Sequence, residues 1–411
     1  MDCLAEKARA ARLGVTLALA VCCVALALAQ APRPVWSYGS SDHFEAYVTG
    51  DEKRALEALN DLEWIHPAFR EILDVPDGSA RRPRVVMFSS AAEFARYGTN
   101  DISNAFWLGT PDGDFIVMRA PDAPDLPDVV HEYTHLMVSR AGLDYPLWLN
   151  EGLAEYYSTM SPAGAKIRVG LVPEGALDTL TKGPLIPLDR LFAVDGQSPE
   201  YNQPGVAQLF YAQSWALTHM LLSHQDYRDK APAVLAEIGL GKTGRDALPA
   251  TYRKPLAAIT ADLRNYLVRF RLTSSLIDVP GMAHATNATA SRPNEVDVEV
   301  TLASILGWRP GRAAESRAAL VALEARAPNS LRVIEARGLL EIYTRNCGAA
   351  RVYLTKAVTL GSSNPAILRA YATLVGAADP PRQQALLARA ASLAPDTAAA
   401  VDAPPIPCSV S

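Results

Sequence analysis

The sequence predicts an α+β domain built on a small mixed sheet, followed by an all-α helical region. Three observations carry this expectation. Between Trp36 and Met118, apolar or alternating segments of strand length are interleaved with helix-period stretches. From Leu126 to Leu217 the firm apolar patterns are mainly helical, and one of them carries two histidines four positions apart. Beyond Glu299 the chain is Ala-rich and helical, with turn signals that recur at a fixed interval. A length of 411 residues allows two or three domains, and 49% hydrophobic with 20% charged residues is ordinary for globular chains.

The first element is a leader. Residues Met1–Arg12 carry Lys7, Arg9 and Arg12, and Leu13–Ala29 is an almost uninterrupted apolar run ending Ala27-Leu28-Ala29. This is the three-part form of a secretory signal peptide, with cleavage before Gln30, so the protein is expected to be exported, periplasmic or secreted. The alternative is an uncleaved membrane anchor formed by residues 13–29, and seventeen residues is at the short end for spanning. A lipoprotein signal ending at Cys22 fits poorly, because the run continues past it and Val21 is a poor residue before a lipidated cysteine.

The formal charge is −5, and removing residues 1–29 takes away three basic and two acidic groups, leaving −6. With no basic tract, nucleic acid is not an expected partner, and membrane contact is expected only if the leader is uncleaved. Cys3, Cys22 and Cys23 belong to the leader; Cys347 and Cys408 remain and can pair in an oxidising compartment.

From Trp36 the elements follow in order. His43–Val48 reads as a strand, Glu52–Leu73 as one amphipathic helix, Arg84–Phe88 as a strand after Pro83, and Ala91–Tyr97 as a short helix. Ala105–Leu108, the turn Pro111–Asp114 and Phe115–Met118 form a hairpin. Leu126–Val138 then reads as a helix with His131 and His135 on one face, about 6 Å apart along the axis.

Two neutral imidazoles on adjacent turns can share one metal ion, and Glu132, next to the first, can reach a water on that metal. A bound Zn²⁺ lowers the pKa of such a water to about 7, which is hydrolytic chemistry. The five-residue pattern also arises by chance on solvated or buried helices. A second helix from Trp148 to Tyr157, after Pro146, places Glu151 sixteen positions past His135, within reach as a third ligand. On these residues alone, Glu151 and Glu155 also read as solvated charges of an amphipathic helix.

The arrangement His131-Glu132-x-x-His135 followed by Asn150-Glu151-Gly152-x-Ala154-Glu155 resembles the gluzincin zinc metallopeptidases, the group of thermolysin and the aminopeptidases, and most closely the bacterial peptidase MA-like relatives. The resemblance implies a thermolysin-like catalytic core, with His131, His135 and Glu151 as zinc ligands and Glu132 activating water. Glu155 would bond the far nitrogen of a ligand histidine and fix its ring. The strand before the zinc helix, Phe115–Arg119, would lie at the sheet edge and receive extended peptide by strand addition, or else be an ordinary covered strand. The spacing between the two motifs is shorter than in thermolysin, so the connection is expected to be compact.

Ser161–Gly205 is Pro- and Gly-bearing, with Leu185–Phe192 its one firm apolar piece. Val206–Ser223 is a strong helix whose Tyr211-x-Gln213-Ser214 pattern is similar to the helix after the zinc site in the MA-like group. Tyr211 would donate to the oxyanion, or be a core aromatic; His219 is a weaker candidate for that donation. His43, His66, His224 and His284 have no partner at metal spacing. Gly239-Leu240-Gly241-Lys242-Thr243 imitates a phosphate loop but lacks the first glycine and a preceding strand, and reads as a helix end and loop. There is no Gly-x-Ser-x-Gly elbow.

Leu256–Arg271, after Pro255, closes the first domain, which is expected over residues 36–272. Residues 273–297 read as a linker from their Ser, Pro, Gly and Asn content, and Asn287-Ala288-Thr289 matters only in a eukaryotic secretory pathway. In residues 298–411 the signals Pro328-Asn329-Ser330, Ser362-Ser363-Asn364 and Pro395-Asp396-Thr397 recur at about 34 residues, the period of tetratricopeptide helix pairs. Gly338, Ala350 and Ala357 then fall where the helices of the middle unit cross. The region resembles a degenerate tetratricopeptide array. It either binds a protein partner or peptide on a concave face or merely caps the first domain.

The expectation is therefore an exported zinc metallopeptidase acting on a peptide or protein substrate. The alternative keeps the metal and drops the chemistry: a zinc-containing peptide-binding or scaffolding protein of the cell envelope.

Overall fold

Strand residues alternate between two hydrophobic faces, and this alternation organises the molecule. The computed structural model describes residues 34–73, 81–98, 104–120, 126–268, 274–280 and 287–393. The proposed leader, Pro395-Asp396-Thr397, His284 and Cys408 lie outside the described residues. Cys347 is disulfide-bonded. Among the described residues no helix is long and apolar enough to cross a membrane.

The chain opens with β1 (Trp36–Ser40) and β2 (Glu45–Thr49), then α1 (Glu52–Glu63) and α2 (Ile65–Leu73). The single helix expected over 52–73 is thus two. Pro67 has no amide to give to a helical carbonyl four residues earlier, so a continuous helix would lose a bond there; in α2 it sits in the first turn, where that amide has no intrahelical partner to lose. Next come β3 (Arg84–Phe88), α3 (Ala91–Ala95), β4 (Ala105–Thr110) and β5 (Gly113–Arg119).

A helical stretch follows: α4 (Leu126–Arg140) and α5 (Leu147–Ser158). After the short strands β6 (Ser161–Ala163) and β7 (Lys166–Val169) come α6 (Ala176–Thr181), α7 (Leu188–Leu191) and α8 (Pro199–Asn202). The long α9 (Ala207–Ser223) is followed by α10 (Ala231–Gly239), α11 (Gly244–Tyr252) and α12 (Leu256–Val268). Gly239–Thr243 is the helix end and loop expected of it, with Thr243 capping α11.

The stretch expected to be a linker instead contributes β8 (Ser275–Asp278) and β9 (Thr289–Ser291). The first pairs with β7, and the second adds to the main sheet beside β1. Three or four residues with polar flanks carry no readable period; strand structure there comes from the waiting edges of β7 and β1.

The main sheet has the order β4-β5-β3-β2-β1-β9. The β2–β3 and β3–β5 pairs are parallel, and β4–β5, β1–β2 and β1–β9 are antiparallel. This corrects the expected sheet edge. Phe115–Arg119 lies in β5, hydrogen-bonded on both sides, so it offers no free edge; β4 is the edge strand. The hairpin folds its first strand outward and its second inward, an order that hydrophobic pattern alone does not distinguish.

One face of the sheet, with Ala46, Val48, Val85, Met87, Ile116 and Met118, packs on α1, α2 and α4. The other, with Tyr47, Val86, Phe88, Phe115 and Val117, packs on α3 and on Val298, Ile305 and Leu306 of α13 (Glu295–Gly307). The C-terminal helices then run as α14 (Ala313–Arg326), α15 (Leu331–Tyr343), α16 (Cys347–Thr359), α17 (Pro365–Val375) and α18 (Pro380–Leu393). Ala350 and Ala357 are fully buried, and a Cβ on Gly338 would stand 3.0 Å from Leu354 Cδ2, so α15 and α16 cross where the small residues lie. The fold is mixed α+β.

Candidate metal centre

Helix α4 starts with Pro127 and Asp128 in its first turn and ends on Arg140, an order that suits both the missing proline amide and the helix dipole. Val129, Val130, Tyr133, Leu136 and Met137 are buried in the main core. The remaining face turns His131 and His135 toward α5, where Pro146 sets the start of the helix and Glu151 and Glu155 sit one turn apart. Helix α5 is pressed against α9. A Cβ on Gly152 would lie 2.2 Å from Thr218 Oγ1 and 2.6 Å from the Ser214 carbonyl oxygen, so only glycine permits this approach.

These elements bring His131, His135 and Glu151 together, with one ligand atom from each within 4.8 Å of the others. Glu151 Oε2 lies 3.2 Å from His131 Nε2 and 3.6 Å from His135 Nε2. Each ring is held from behind: Glu155 Oε1 is 3.5 Å from His131 Nδ1, and Asn150 Oδ1 is 3.1 Å from His135 Nδ1. With Nδ1 of each ring turned to these oxygens, Nε2 of both rings is the atom that faces Glu151. Two imidazole nitrogens and one carboxylate oxygen suit a borderline cation such as Zn²⁺. The donor set fits that metal.

The charges in this cluster stabilise one another. Burial works against a charged His131, but its hydrogen bond to Glu151 and the Glu155, Glu151 and Glu132 charges outweigh this and raise it to about 10. His135 is raised as well, since Glu151 overcomes the desolvation. Against its own burial, the two imidazoles hold the Glu151 carboxyl well below the usual range, whereas burial pushes Glu155 up.

Glu132 is 9% exposed. Its Oε2 accepts the Trp107 backbone N–H at 2.7 Å. In an antiparallel pair both peptide groups of a residue point to the same side, alternating along the strand. Asn104 accepts from Arg119 of β5, so the even residues of β4 face β5, and Ala105, Trp107 and Gly109 face outward. The edge strand thus addresses Glu132 directly.

Tyr211, on α9, lies with its ring 6.5 Å from the His131 ring. Its ring lies 5.9 Å from that of Tyr201, whose hydroxyl donates to Glu151 Oε1 at 3.2 Å. Pattern reading missed Tyr201, which lies on a four-residue helix with no motif around it; Asn150 was visible only as the residue preceding Glu151. His219 is excluded from the site. It is fully buried, bridging the Gly170 carbonyl at 2.8 Å and Tyr266 Oη at 2.6 Å.

His43 bonds Glu63 at 2.6 Å and stacks on His66 at 4.1 Å, while His66 meets Tyr133 Oη at 2.7 Å. Parallel stacked rings direct their in-plane lone pairs away from any shared ion. Among the described residues, His131, His135 and Glu151 form the one group placed to hold a metal. Comparison of the chain with protein-family models, with curated proteins and with solved structures returns no match.

Proposed function

We propose that this chain is an exported zinc-dependent metallopeptidase, with a gluzincin-like catalytic region on a thermolysin-like core and a tetratricopeptide-like helical region after it. The observation that carries the reading is the convergence of His131, His135 and Glu151 within 4.8 Å, beside a buried Glu132 on the first ligand's own helix. A purely structural zinc site closes its fourth position with protein, whereas a catalytic one has three protein ligands and a carboxylate base. The export reading rests on residues 1–29.

His131, His135 and Glu151 would hold Zn²⁺, which when bound supplies Lewis acidity to water and to a substrate carbonyl. Glu132 takes a proton from the attacking water and passes it to the departing amine. Its Oε2 is committed to Trp107, which leaves Oε1 for that exchange. The Tyr211 and Tyr201 hydroxyls are raised well above the ordinary tyrosine range, the first mainly by burial and the second mainly by Glu151, so both remain donors at neutral pH. Tyr211 supplies a hydrogen bond for the carbonyl oxygen as it gains charge, while Tyr201 keeps its proton on Glu151. An extended peptide lies beside β4 beyond Trp107, where Gly109 turns its peptide groups outward.

The test is metal content together with hydrolysis of a mixed peptide library by residues 30–411, beside the Glu132→Gln variant. One zinc per chain, and cleavage that disappears in the variant while zinc is retained, is the expected result. Full activity in Glu132→Gln would overturn the mechanism, and zinc without cleavage in either protein would favour the binding or scaffolding alternative.

A further inference from the structure

The connection between the C-terminal helices and the candidate site runs through one asparagine. At the start of α17, Asn364 caps the helix, its Oδ1 accepting the Ala366 N–H at 2.9 Å. The same oxygen accepts from Arg81 Nη2 at 2.5 Å, and the side-chain nitrogen donates to Asp112 Oδ1 at 2.6 Å. Asp112 is in the tip of the β4–β5 hairpin. Its other oxygen takes Arg84 Nη1 at 2.8 Å, and Arg81 also bonds the carbonyl of Pro111 at 3.1 Å. The tip is internally fixed, with Thr110 Oγ1 accepting from the Asp112 amide and donating to the Gly113 carbonyl.

From the tip the contacts lead inward. Asp114 takes the Trp107 indole N–H at 3.1 Å and Arg140 Nη2 at 2.8 Å, so the hairpin is tied to the last turn of α4. Arg140 also donates to the Arg81 carbonyl at 2.9 Å, closing the circuit back to the residue that holds Asn364. The Trp107 amide then meets Glu132.

We propose that Asn364 is a positioning residue for the metal centre: through Asp112 it fixes the β4–β5 hairpin, and so sets where β4 presents the Trp107 amide to Glu132. The C-terminal helices therefore do more than cover the sheet; they hold its edge strand in register with the base. The catalytic meaning of that placement rests on the function proposed above, whereas the mechanical coupling does not.

Asparagine is the residue this junction needs, because it offers an acceptor to the helix end and to Arg81 and a donor to a carboxylate. Aspartate caps a helix equally well and still faces Arg81, but has nothing to give Asp112. Asn364→Asp thus keeps the cap and opposes two carboxylates. Adding Asp112→Asn restores a donor between them with the two side chains exchanged.

Hydrogen exchange read by mass spectrometry on the whole mature chain tests the coupling without any substrate. In Asn364→Asp, the β4 amides at residues 105–110, Trp107 above all, are expected to exchange about 10-fold faster, while β1 at residues 36–40 and zinc content stay as in the wild type. The double variant is expected to recover most of the protection. Where a cleaved peptide has been found, kcat/KM falls by a similar factor in the single variant and returns in the double. Unchanged exchange at 105–110 would overturn the proposal, and so would equal acceleration in β1 and β4, which is general destabilisation. If the wild type holds no zinc and cleaves nothing, the function proposed above fails while the exchange result still decides the coupling.

Discussion

Replacing Gly152 by alanine probes the crossing of α5 and α9, on which the position of Glu151, the proposed third ligand, depends. The added Cβ would lie 2.2 Å from Thr218 Oγ1, 2.6 Å from the Ser214 carbonyl oxygen and 3.0 Å from its carbon. The threonine hydroxyl can rotate away. The Ser214 peptide belongs to the helix itself, so relief requires the two helices to part by about 1 Å. Overpacking costs about 1–3 kcal/mol, the upper end applying where the neighbour is backbone, and alanine returns about 1 kcal/mol of helix propensity. The net loss is about 2 kcal/mol, or about 4–8 °C in Tm.

Glu151 immediately precedes the substituted position, and metal–ligand distances tolerate only about 0.2 Å of error, so zinc affinity should also fall by about 10-fold or more. Thermal unfolding and zinc competition with a chelating dye measure the two effects. Adding Thr218→Ala should recover only part of either, since the Ser214 carbonyl remains. A Gly152→Ala protein that melts within a degree of the wild type and binds zinc equally would refute the argument.

Two further predictions concern the shell around the site. Tyr201→Phe removes the hydroxyl that holds Glu151 Oε1 and should weaken zinc about 10-fold in the same competition assay; an unchanged affinity would mean that Tyr201 does not position the ligand. Burial, helped by the His43, Arg140 and Arg70 charges, lowers the His66 imidazole to about 4. The unfolded chain binds that proton near pH 6.5 and the folded chain only near 4. Stability is therefore complete above the higher value and falls by about 2–3 kcal/mol between the two as the pH drops. In His66→Asn this part of the slope should vanish, and denaturation curves that run parallel for both proteins from pH 7 to 4 would contradict it.

The parts of the fold legible in the sequence are those with a long period or a fixed spacing. Helices α4, α5 and α9 have apolar faces that repeat over several turns, and the His131, His135, Glu151 and Glu155 spacing follows from helical geometry alone. Tyr201 reaches Glu151 because a fifty-residue excursion through short elements returns it there, and no local pattern encodes such a return. β9 is equally silent: Thr289-Ala290-Ser291 is a strand because β1 has an edge to satisfy. Which strand of the β4–β5 hairpin lies at the edge is illegible for a related reason, since both carry apolar residues and the outer one is shielded in part by the aromatic ring of Trp107 packing on the core.

Strand β9 also governs when the sheet can be completed. It pairs residues 38–40 with residues 289–291, so one border of the sheet waits until nearly three quarters of the chain has emerged. Contacts so distant in sequence form late and lengthen the time during which an unpaired strand is exposed. A fragment ending at residue 272 would carry every proposed metal ligand and yet leave the β1 border open, together with the sheet face that α13 covers. Such a fragment should aggregate through that border, and the smallest unit that closes its own sheet extends at least to Gly307.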